Sequence, residues 1–291
     1  MKIFVDEISF GYSSVDVLKD ISLEINDPQL VSIIGPNGVG KSTFIHCLNK
    51  ILSPTSGTVL IDDKNIENIS IKDLAKLVGY VPYSANDTFP LSVTDTVLMG
   101  RHPHGTWKSL NSDLKKVEEV LVLLGIEHLA MRPFNELSAG QHQKVMLARG
   151  LVQEPKILLL DEPTSNLDIK HQIEVTRMLK ELSRLKNMII IMISHDLNIA
   201  AKYSDNMILM SKGKIHSVGK PHEVITESNL REIYNISSRI IDDHGRPHVI
   251  LEDDDDEETI PLCDTAYVSS GSIINESIKL EVAGVEKVRS G

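Results

Sequence analysis

Cysteine and long apolar runs are scarce in this chain of 291 residues, and each shortage excludes a class of protein. The two cysteines, Cys47 and Cys263, have no CxxC spacing, which argues against a disulfide framework and against a cysteine zinc site. The longest apolar run, Met188 to Ile193, is far shorter than the roughly 20 residues that a membrane-spanning helix needs. The first residues lack the apolar stretch of a secretory signal. We therefore expect a cytosolic globular protein.

Basic charge is not in excess either, since 30 lysines and arginines stand against 41 acidic residues, a net charge of −11. Seven of the acids are consecutive, from Glu252 to Glu258, and removing those seven from the 41 leaves 34 acids and a net charge of −4. No basic stripe with interleaved aromatics is present, so nucleic acid is not an expected partner. Because adjacent like charges repel, the acidic run is typical of a solvated segment.

The most informative stretch that is present is Gly35 to Thr43, which has the spacing glycine, four residues, glycine, lysine, serine. It follows a β-branched apolar run at 30–34 that is typical of a buried strand, and it precedes a helical pattern. Its glycines allow successive N–H groups to hold phosphate oxygens at the positive end of the helix. In this pattern Lys41 reaches the β and γ phosphates and Ser42 ligates Mg²⁺. The alternative, a glycine-rich hairpin before a surface helix, leaves the flanking pattern unexplained.

Two further apolar strand patterns end in groups that can do chemistry. Residues 156–160 lead to Asp161 and Glu162, which in a parallel sheet would stand at the edge where ligands bind. We expect Asp161 in the Mg²⁺ shell and Glu162 to orient or deprotonate an attacking water. Residues 188–194 lead to His195, which could donate a hydrogen bond to a transferring phosphate. A capping or surface histidine is the alternative for His195.

Two other positions have both a functional and a structural interpretation. Ser138 opens a helical pattern after Leu137, so its hydroxyl and the free N–H groups could bind a second anion, or Ser138 could act only as an N-cap. Tyr12 follows Gly11 and could stack on a nucleotide base or lie in the core or at a sheet edge.

In order and spacing, these segments resemble the nucleotide-binding subunit of ATP-binding cassette (ABC) transporters over residues 2 to about 235. The features that carry the resemblance are a Walker A loop at Gly35 to Thr43, a signature motif at Leu137 to Gln141, a Walker B strand at Leu158 to Glu162, a D-loop at Ser165 to Asp168, a switch histidine at His195 and an adenine-stacking aromatic at Tyr12. The signature has Ala139 where the family commonly has glycine. After Pro82 the family has a glutamine that contacts Mg²⁺ or the attacking water and couples the site to the membrane subunit, and this chain has Tyr83 instead. The replacement affects that coupling and leaves the phosphate site intact.

The resemblance implies an α/β fold with a P-loop ATPase core, an antiparallel β subdomain and an inserted helical subdomain. The implied ligands are ATP and Mg²⁺, and the implied catalytic residues are Glu162, His195 and Lys41, with Ser42 and Asp161 toward the metal. The nucleotide-binding residues implied are Tyr12, Gly35, Asn37, Gly38, Gly40, Lys41, Ser42, Thr43, Ser138, Gly140 and Gln141. Two copies would meet head to tail, so that Ser138 and Gly140 of one copy complete the site of the other.

The resemblance also implies partners and a place of action. We expect a homodimer that is peripheral to the cytoplasmic face of the cell membrane, bound to transmembrane permease subunits and supplied by a solute-binding protein. The stretch from Leu98 to His104 resembles importers of ferric siderophores, haem and cobalamin. The alternatives are an importer of a metal oxyanion, a soluble ABC ATPase without a transporter, and a nucleotide sensor that barely hydrolyses ATP.

The same patterns divide the chain. Residues 1–236 form the predicted ABC domain, with the helical subdomain at about 84–151, where strand patterns give way to helical periodicity. Residues 237–291 form a predicted acidic extension that is partly ordered, with short strand patterns at 239–242, 248–251 and 277–282.

Overall fold

The computed structural model describes residues 1–13, 15–83, 90–104 and 110–253. The strands in these residues are β1 (Ile3–Tyr12), β2 (Val15–Ile25), β3 (Leu30–Ile34), β4 (Ser56–Ile61), β5 (Lys64–Asn65), β6 (Val78–Val81), β7 (Ile157–Leu160), β8 (Ile189–Ile193), β9 (Asn206–Ser211), β10 (Lys214–Gly219), β11 (Ser238–Asp242) and β12 (Pro247–Leu251). The α-helices are α1 (Lys41–Leu48), α2 (Ile71–Leu77), α3 (Val93–Leu98), α4 (Leu110–Leu123), α5 (Ala139–Leu151), α6 (Ile169–Leu185), α7 (Leu197–Tyr203), α8 (Pro221–Val224) and α9 (Glu227–Tyr234).

The central sheet has six strands in the order β10, β9, β3, β8, β7, β6. All its neighbouring strands run parallel except β10, which runs antiparallel to β9 at the edge. The inner strands β3, β7 and β8 are buried at every position, which explains why their sequences are continuous apolar runs. Such a sheet collects the carboxyl ends of its parallel strands at one edge.

A second sheet is antiparallel, in the order β2, β1, β4, β5, and it packs with α1 and one face of the central sheet in a common apolar core. The opposite face of the central sheet packs against the helical region that contains α3, α4 and α5. Ser92 caps α3 by accepting a hydrogen bond from the Asp95 N–H, as its position before the helix predicts. The architecture confirms the predicted fold class. The predicted start of the helical insert at residue 84 lies outside the described residues.

The carboxyl-terminal hairpin, formed by β11 and β12, confirms the two strand patterns predicted around residue 245. Residues Met1–Glu252 form one compact unit, so the hairpin belongs to it, whereas the sequence pattern assigned the hairpin to the extension that begins at 237. The difference arises because Val249 of β12 is buried against helices that are distant in sequence. The predicted strand at 277–282 lies outside the described residues. Among the described helices, none has the length and apolar character needed to cross a membrane.

Candidate active site

Three neighbouring strands of the central sheet deliver the candidate site. The register pairs Ile33 of β3 with Ile193 of β8, and Met192 of β8 with Leu160 of β7, so the three strands end level with one another. Each strand then continues directly into a segment singled out from the sequence: the glycine loop after β3, two acids after β7 and His195 after β8. The parallel sheet therefore brings the glycine loop together with two acids and a histidine that lie more than 100 residues later in the chain.

The loop between β3 and α1 requires glycine at both of its ends. Gly35 has φ +145°, and a Cβ there would collide with the carbonyl oxygen of Met210 on β9. Gly40 has φ +101°, and its Cβ would lie 2.8 Å from Leu18 Cδ2. Gly40 is also the N-cap of α1, which has no side-chain capping hydrogen bond. The first N–H groups of α1 are thus left to a ligand or to water, the arrangement that favours anions.

Lys41 is the first residue of α1 and is only 6% exposed. Its Nζ donates hydrogen bonds to the carbonyl oxygens of Gly35, at 2.7 Å, and Pro36, at 2.8 Å. Burial lowers the pKa of the Lys41 ammonium, and the nearby charges of Glu162 and Asp161 oppose that shift. A cation therefore lies within the glycine loop, close enough to both carboxylates to interact with them.

Ser42 and Asp161 form the direct link between the loop and β7. Ser42 Oγ donates a hydrogen bond to Asp161 Oδ1 at 3.0 Å. Asp161 is 6% exposed, and its pKa is raised mainly by burial and also by the like charge of Glu162, against the hydrogen bond from Ser42. A hydroxyl and a buried carboxylate are oxygen ligands of the kind Mg²⁺ takes, and Mg²⁺ typically needs only one or two of them from the protein beside phosphate oxygens. Within the described part of the chain, no group of three or more His, Cys, Asp or Glu residues is arranged to hold a metal by protein ligands alone.

Glu162 and His195 face each other across the gap between β7 and β8. The His195 Nε2 and Glu162 Oε1 atoms are 2.5 Å apart. Glu162 has φ +49°, which is uncommon for a residue with a side chain, and its carbonyl oxygen accepts a hydrogen bond from Ser165 Oγ at 3.0 Å. The structure thus pairs the two side chains that the sequence predicted to handle water and phosphate. Their roles stay predictions.

Asn37, Gly38 and Thr43 complete the predicted phosphate loop. Asn37 and Gly38 are exposed at the tip of the loop, and Thr43 is buried on α1.

Tyr12 is 52% exposed, and its ring meets that of Phe10 edge to face with 4.9 Å between centroids. Tyr12 pairs with Val15 at the end of the β1–β2 hairpin. The same hairpin contains Leu18, whose side chain packs next to Gly40. Stacking of Tyr12 on a base stays a prediction.

The signature residues lie at the start of α5. Ser138 Oγ accepts the Gln141 N–H at 3.4 Å, and the Gln141 side chain accepts the Ser138 N–H at 3.2 Å, so Ser138 is an N-cap in a capping box. A Cβ at Gly140 would lie 2.9 Å from Cδ2 of His171. The His171 ring is hydrogen-bonded to the Asp168 carboxylate. These contacts join the start of α5 to the start of α6. The predicted contact of Ser138, Gly140 and Gln141 with the nucleotide of a second copy stays a prediction.

Sequence reasoning missed a pair of side chains behind Asp161. His46 Nε2 and the Tyr80 hydroxyl are 2.9 Å apart, and the charge of His46 acts to lower the pKa of Asp161. Burial, with a contribution from Asp161, raises the pKa of Tyr80 to about 12. One signal was available: His46 lies four residues after Ser42 and so on the same face of α1. Tyr80 carried no such signal, because only the strand pairing brings it next to β7.

Tyr83 lines a cavity of about 250 Å³ that reaches Glu162. The other side of this cavity is formed by the start of α5, including Ala139 and His142. The residue that departs from the family pattern therefore borders the same space as the predicted catalytic glutamate. Asn86, the residue nearby that could offer an amide instead, lies outside the described residues.

Comparison with known proteins agrees with this geometry. The family model described as "ABC transporter" matches residues 18–165. An ABC transporter ATP-binding protein of Methanocaldococcus jannaschii, which its name marks as uncharacterized, is 45% identical over 250 residues, 86% of this chain and 98% of that protein. The ferric enterobactin transport ATP-binding protein of Escherichia coli K12 is 36% identical over 251 residues, 84% of this chain and 92% of that protein.

A solved structure gives the same answer at the level of the fold. An inward-facing ABC transporter described as being of the metal-chelate type has a subunit that superposes with a TM-score of 0.75 at 28% identity, covering 86% of this chain and 97% of that one. The family match, the relatives and the order of the motifs in the folded chain lead to one conclusion. This chain belongs to the ABC transporter family and is an ABC-type ATP-binding subunit, an ATPase of a transporter.

Proposed function

We propose that this ATPase drives the import of a metal bound in an organic chelator, such as a ferric siderophore, haem or cobalamin, through partner permease subunits. The observation that most supports ATP hydrolysis as the driving reaction is that the glycine loop, Asp161, Glu162 and His195 meet at one sheet edge. This arrangement supplies an anion cradle, two oxygen ligands and a base within one site. A family member built only to bind nucleotide would not need the paired base and histidine.

The side chains divide the work of hydrolysis. The loop N–H groups and the Lys41 ammonium bind the phosphates. The ammonium also offsets the negative charge that shifts onto the leaving group during the reaction. Glu162 Oε1 takes a proton from the attacking water while His195 Nε2, now 2.5 Å from that oxygen, donates to the phosphoryl oxygens. Ser42 and Asp161 would hold Mg²⁺, which when bound neutralises charge shared by the β and γ phosphates.

The signature residues complete the site in a second copy of the chain. Ser138 already presents a capped helix start, and His171 packs so closely on Gly140 that a side chain at this position would collide with it. ATP would therefore bind between two copies and favour the closed pair, and hydrolysis would release it.

The cargo assignment rests on relatives and on chemistry. The relative from Escherichia coli is named for ferric enterobactin, and the solved transporter is described as metal-chelate type. Ferric siderophores, haem and cobalamin share that chemistry, because each encloses a metal in an organic ligand. The Leu98 to His104 stretch resembles the same group of importers in sequence. Within this stretch, the Arg101 guanidinium donates hydrogen bonds to Asp113 and to the carbonyl oxygen of Val152. The protein would act from the cytoplasmic face of the membrane.

The test is purification from native membranes followed by reconstitution. A polytopic permease and a solute-binding protein should co-purify with this chain, and proteoliposomes containing the complex should take up a ferric siderophore, haem or cobalamin when ATP is present on the side of this subunit. The matched control is the same complex carrying Lys41→Ala, which should dock but not transport.

Three outcomes would contradict the proposal, each in a different way. Uptake of molybdate in place of all three chelates would assign the protein to the metal oxyanion importers. Purification without any polytopic membrane protein would favour a soluble ATPase of this family. Docking with ATP bound but without phosphate release would favour a nucleotide sensor.

A further inference from the structure

The helix that follows the switch histidine is held at both of its ends by the carboxyl-terminal hairpin. Near the start of α7, the Asn198 amide donates to the Val249 carbonyl oxygen at 3.1 Å and accepts the Val249 N–H at 2.7 Å. Near its end, Arg246 Nη1 donates to the carbonyl oxygen of Ser204 at 2.6 Å. Asn198 thus pairs with β12 as another strand would, and Arg246 satisfies a carbonyl that the helix end leaves free.

Apolar packing reinforces this attachment. Val249 is 6% exposed and lies in one cluster with Ala200 and Ala201 of α7. The same cluster contains Ile34, the last residue of β3 before the glycine loop. The hairpin therefore belongs to the same apolar cluster as α7 and the end of β3, where the phosphate loop begins.

The short link between His195 and α7 transmits the position of the helix to the imidazole. Ser194 Oγ donates to the Asp196 carbonyl oxygen at 3.2 Å, and the Asp196 side chain accepts the Ile199 N–H at 2.8 Å. These bonds join the turn that carries His195 to the first turn of α7. A shift of α7 would consequently move His195 relative to Glu162, which is fixed separately at the end of β7.

We propose that Asn198 is a positioning residue, which uses the β11–β12 hairpin to hold His195 in reach of Glu162 and of the transferring phosphate. The proposal rests on the role of His195 in the proposed function. Its physical basis is that a displacement of about 1 Å in a reacting group can cost up to about 10²-fold in rate. Asn198 itself touches neither substrate nor Glu162, so it acts only through the helix.

The first experiment compares steady-state ATP hydrolysis by the full chain and by three variants. Asn198→Leu has a similar size and removes both hydrogen bonds, and Asn198→Asp keeps the acceptor for the Val249 N–H but loses the donor. The control is His244→Asn at the hairpin tip, where the side chain is 98% exposed and φ is +53°, a conformation that asparagine tolerates. We expect kcat to fall about tenfold in Asn198→Leu and about threefold in Asn198→Asp, with KM for ATP within about twofold, and no change in His244→Asn. A rise in KM at constant kcat, or an equal loss in the control, would overturn the proposal.

The second experiment tests whether the effect passes through His195. Asn198→Leu is combined with His195→Ala and single-turnover rates are measured, together with the number of ATP molecules bound per chain. If Asn198 acts through the histidine, Asn198→Leu should slow the His195→Ala protein by less than about twofold, because the positioned group is already gone. A full tenfold loss in that background would overturn the proposal. If Asn198→Leu does not fold, the same cycle with Asn198→Asp decides.

The controls separate this inference from the function on which it rests. If His195→Ala hydrolyses ATP at the normal rate, the role of His195 fails and the positioning role fails with it. If His195→Ala is slow while both Asn198 variants are normal, the proposed function stands and only the positioning role is overturned.

Discussion

Glu162→Gln isolates the base from every other feature of the site. Glutamine has nearly the same shape, and its Oε1 can still accept a hydrogen bond from His195, so the 2.5 Å contact need not be lost. The hydrogen bond from Ser42 to Asp161 and the bonds of Lys41 to the loop are untouched. Removal of a general base costs about 10²–10⁴ in rate, or about 2.7 to 5.4 kcal/mol of transition-state stabilisation. We expect a loss in kcat within that range, with the Kd for ATP within about twofold of the original.

The assay is single-turnover hydrolysis at saturating ATP, with size-exclusion chromatography of the same sample. Because ATP is bound but not cleaved, Glu162→Gln should elute as a pair of chains. Glu67→Gln is the matched control, since Glu67 is surface-exposed and only 3.7 Å from Lys50, a pair of small energetic value. The reasoning is refuted if Glu162→Gln hydrolyses ATP at the normal rate, which would mean that the carboxylate serves only to hold His195, or if it stays monomeric with ATP.

Three further predictions concern other parts of the chain. Tyr83→Gln should raise the hydrolysis rate of the isolated protein by restoring an amide beside the cavity that reaches Glu162, whereas Tyr83→Phe should change it little; loss of activity in the phenylalanine variant would show a direct role for the hydroxyl. Burial raises the pKa of the Cys47 thiol to about 12, so at pH 8, after the other cysteine is replaced by serine, an alkylating reagent should label the protein only when it is unfolded; rapid labelling of the native protein would contradict this. Deletion of residues 254–291 should leave the melting temperature nearly unchanged, while deletion of 237–291 should lower it, because the second truncation removes Val249, whose burial alone contributes about 1.5 to 3 kcal/mol; equal melting temperatures for the two truncations would refute the distinction.

The parts of the fold that the sequence predicted well are those with a strong local signal. The strand at Leu30–Ile34 and the cap at Ser138 have the predicted bounds or contacts, because apolar runs and capping side chains act within a few residues. The glycine loop and the two acids were found for the same reason. In these cases chemistry and spacing lie next to each other in the chain.

The parts that sequence reasoning missed depend on contacts across long stretches of chain. The attachment of the hairpin rests on bonds between Asn198 and Val249, 51 residues apart, and no local pattern indicates them. The pairing of Tyr80 with His46 likewise requires knowing which strand lies beside β7. Ser138 shows a different limit: the sequence left N-cap and ligand roles open, and the structure shows the cap while the ligand would come from another copy.

The measurement that tests the central claim most directly is complementation between two inactive variants. Lys41→Ala disables the phosphate loop, and Ser138→Arg blocks the signature helix start, so each protein alone should be inactive. If every site is built from the loop of one copy and the signature of the other, a mixed pair has one site with both defects and one fully intact site. An equal mixture should then recover up to about a quarter of the original ATPase rate, because about half of the pairs are mixed and half of their sites work. A mixture no more active than the separate variants would contradict a site shared between two copies.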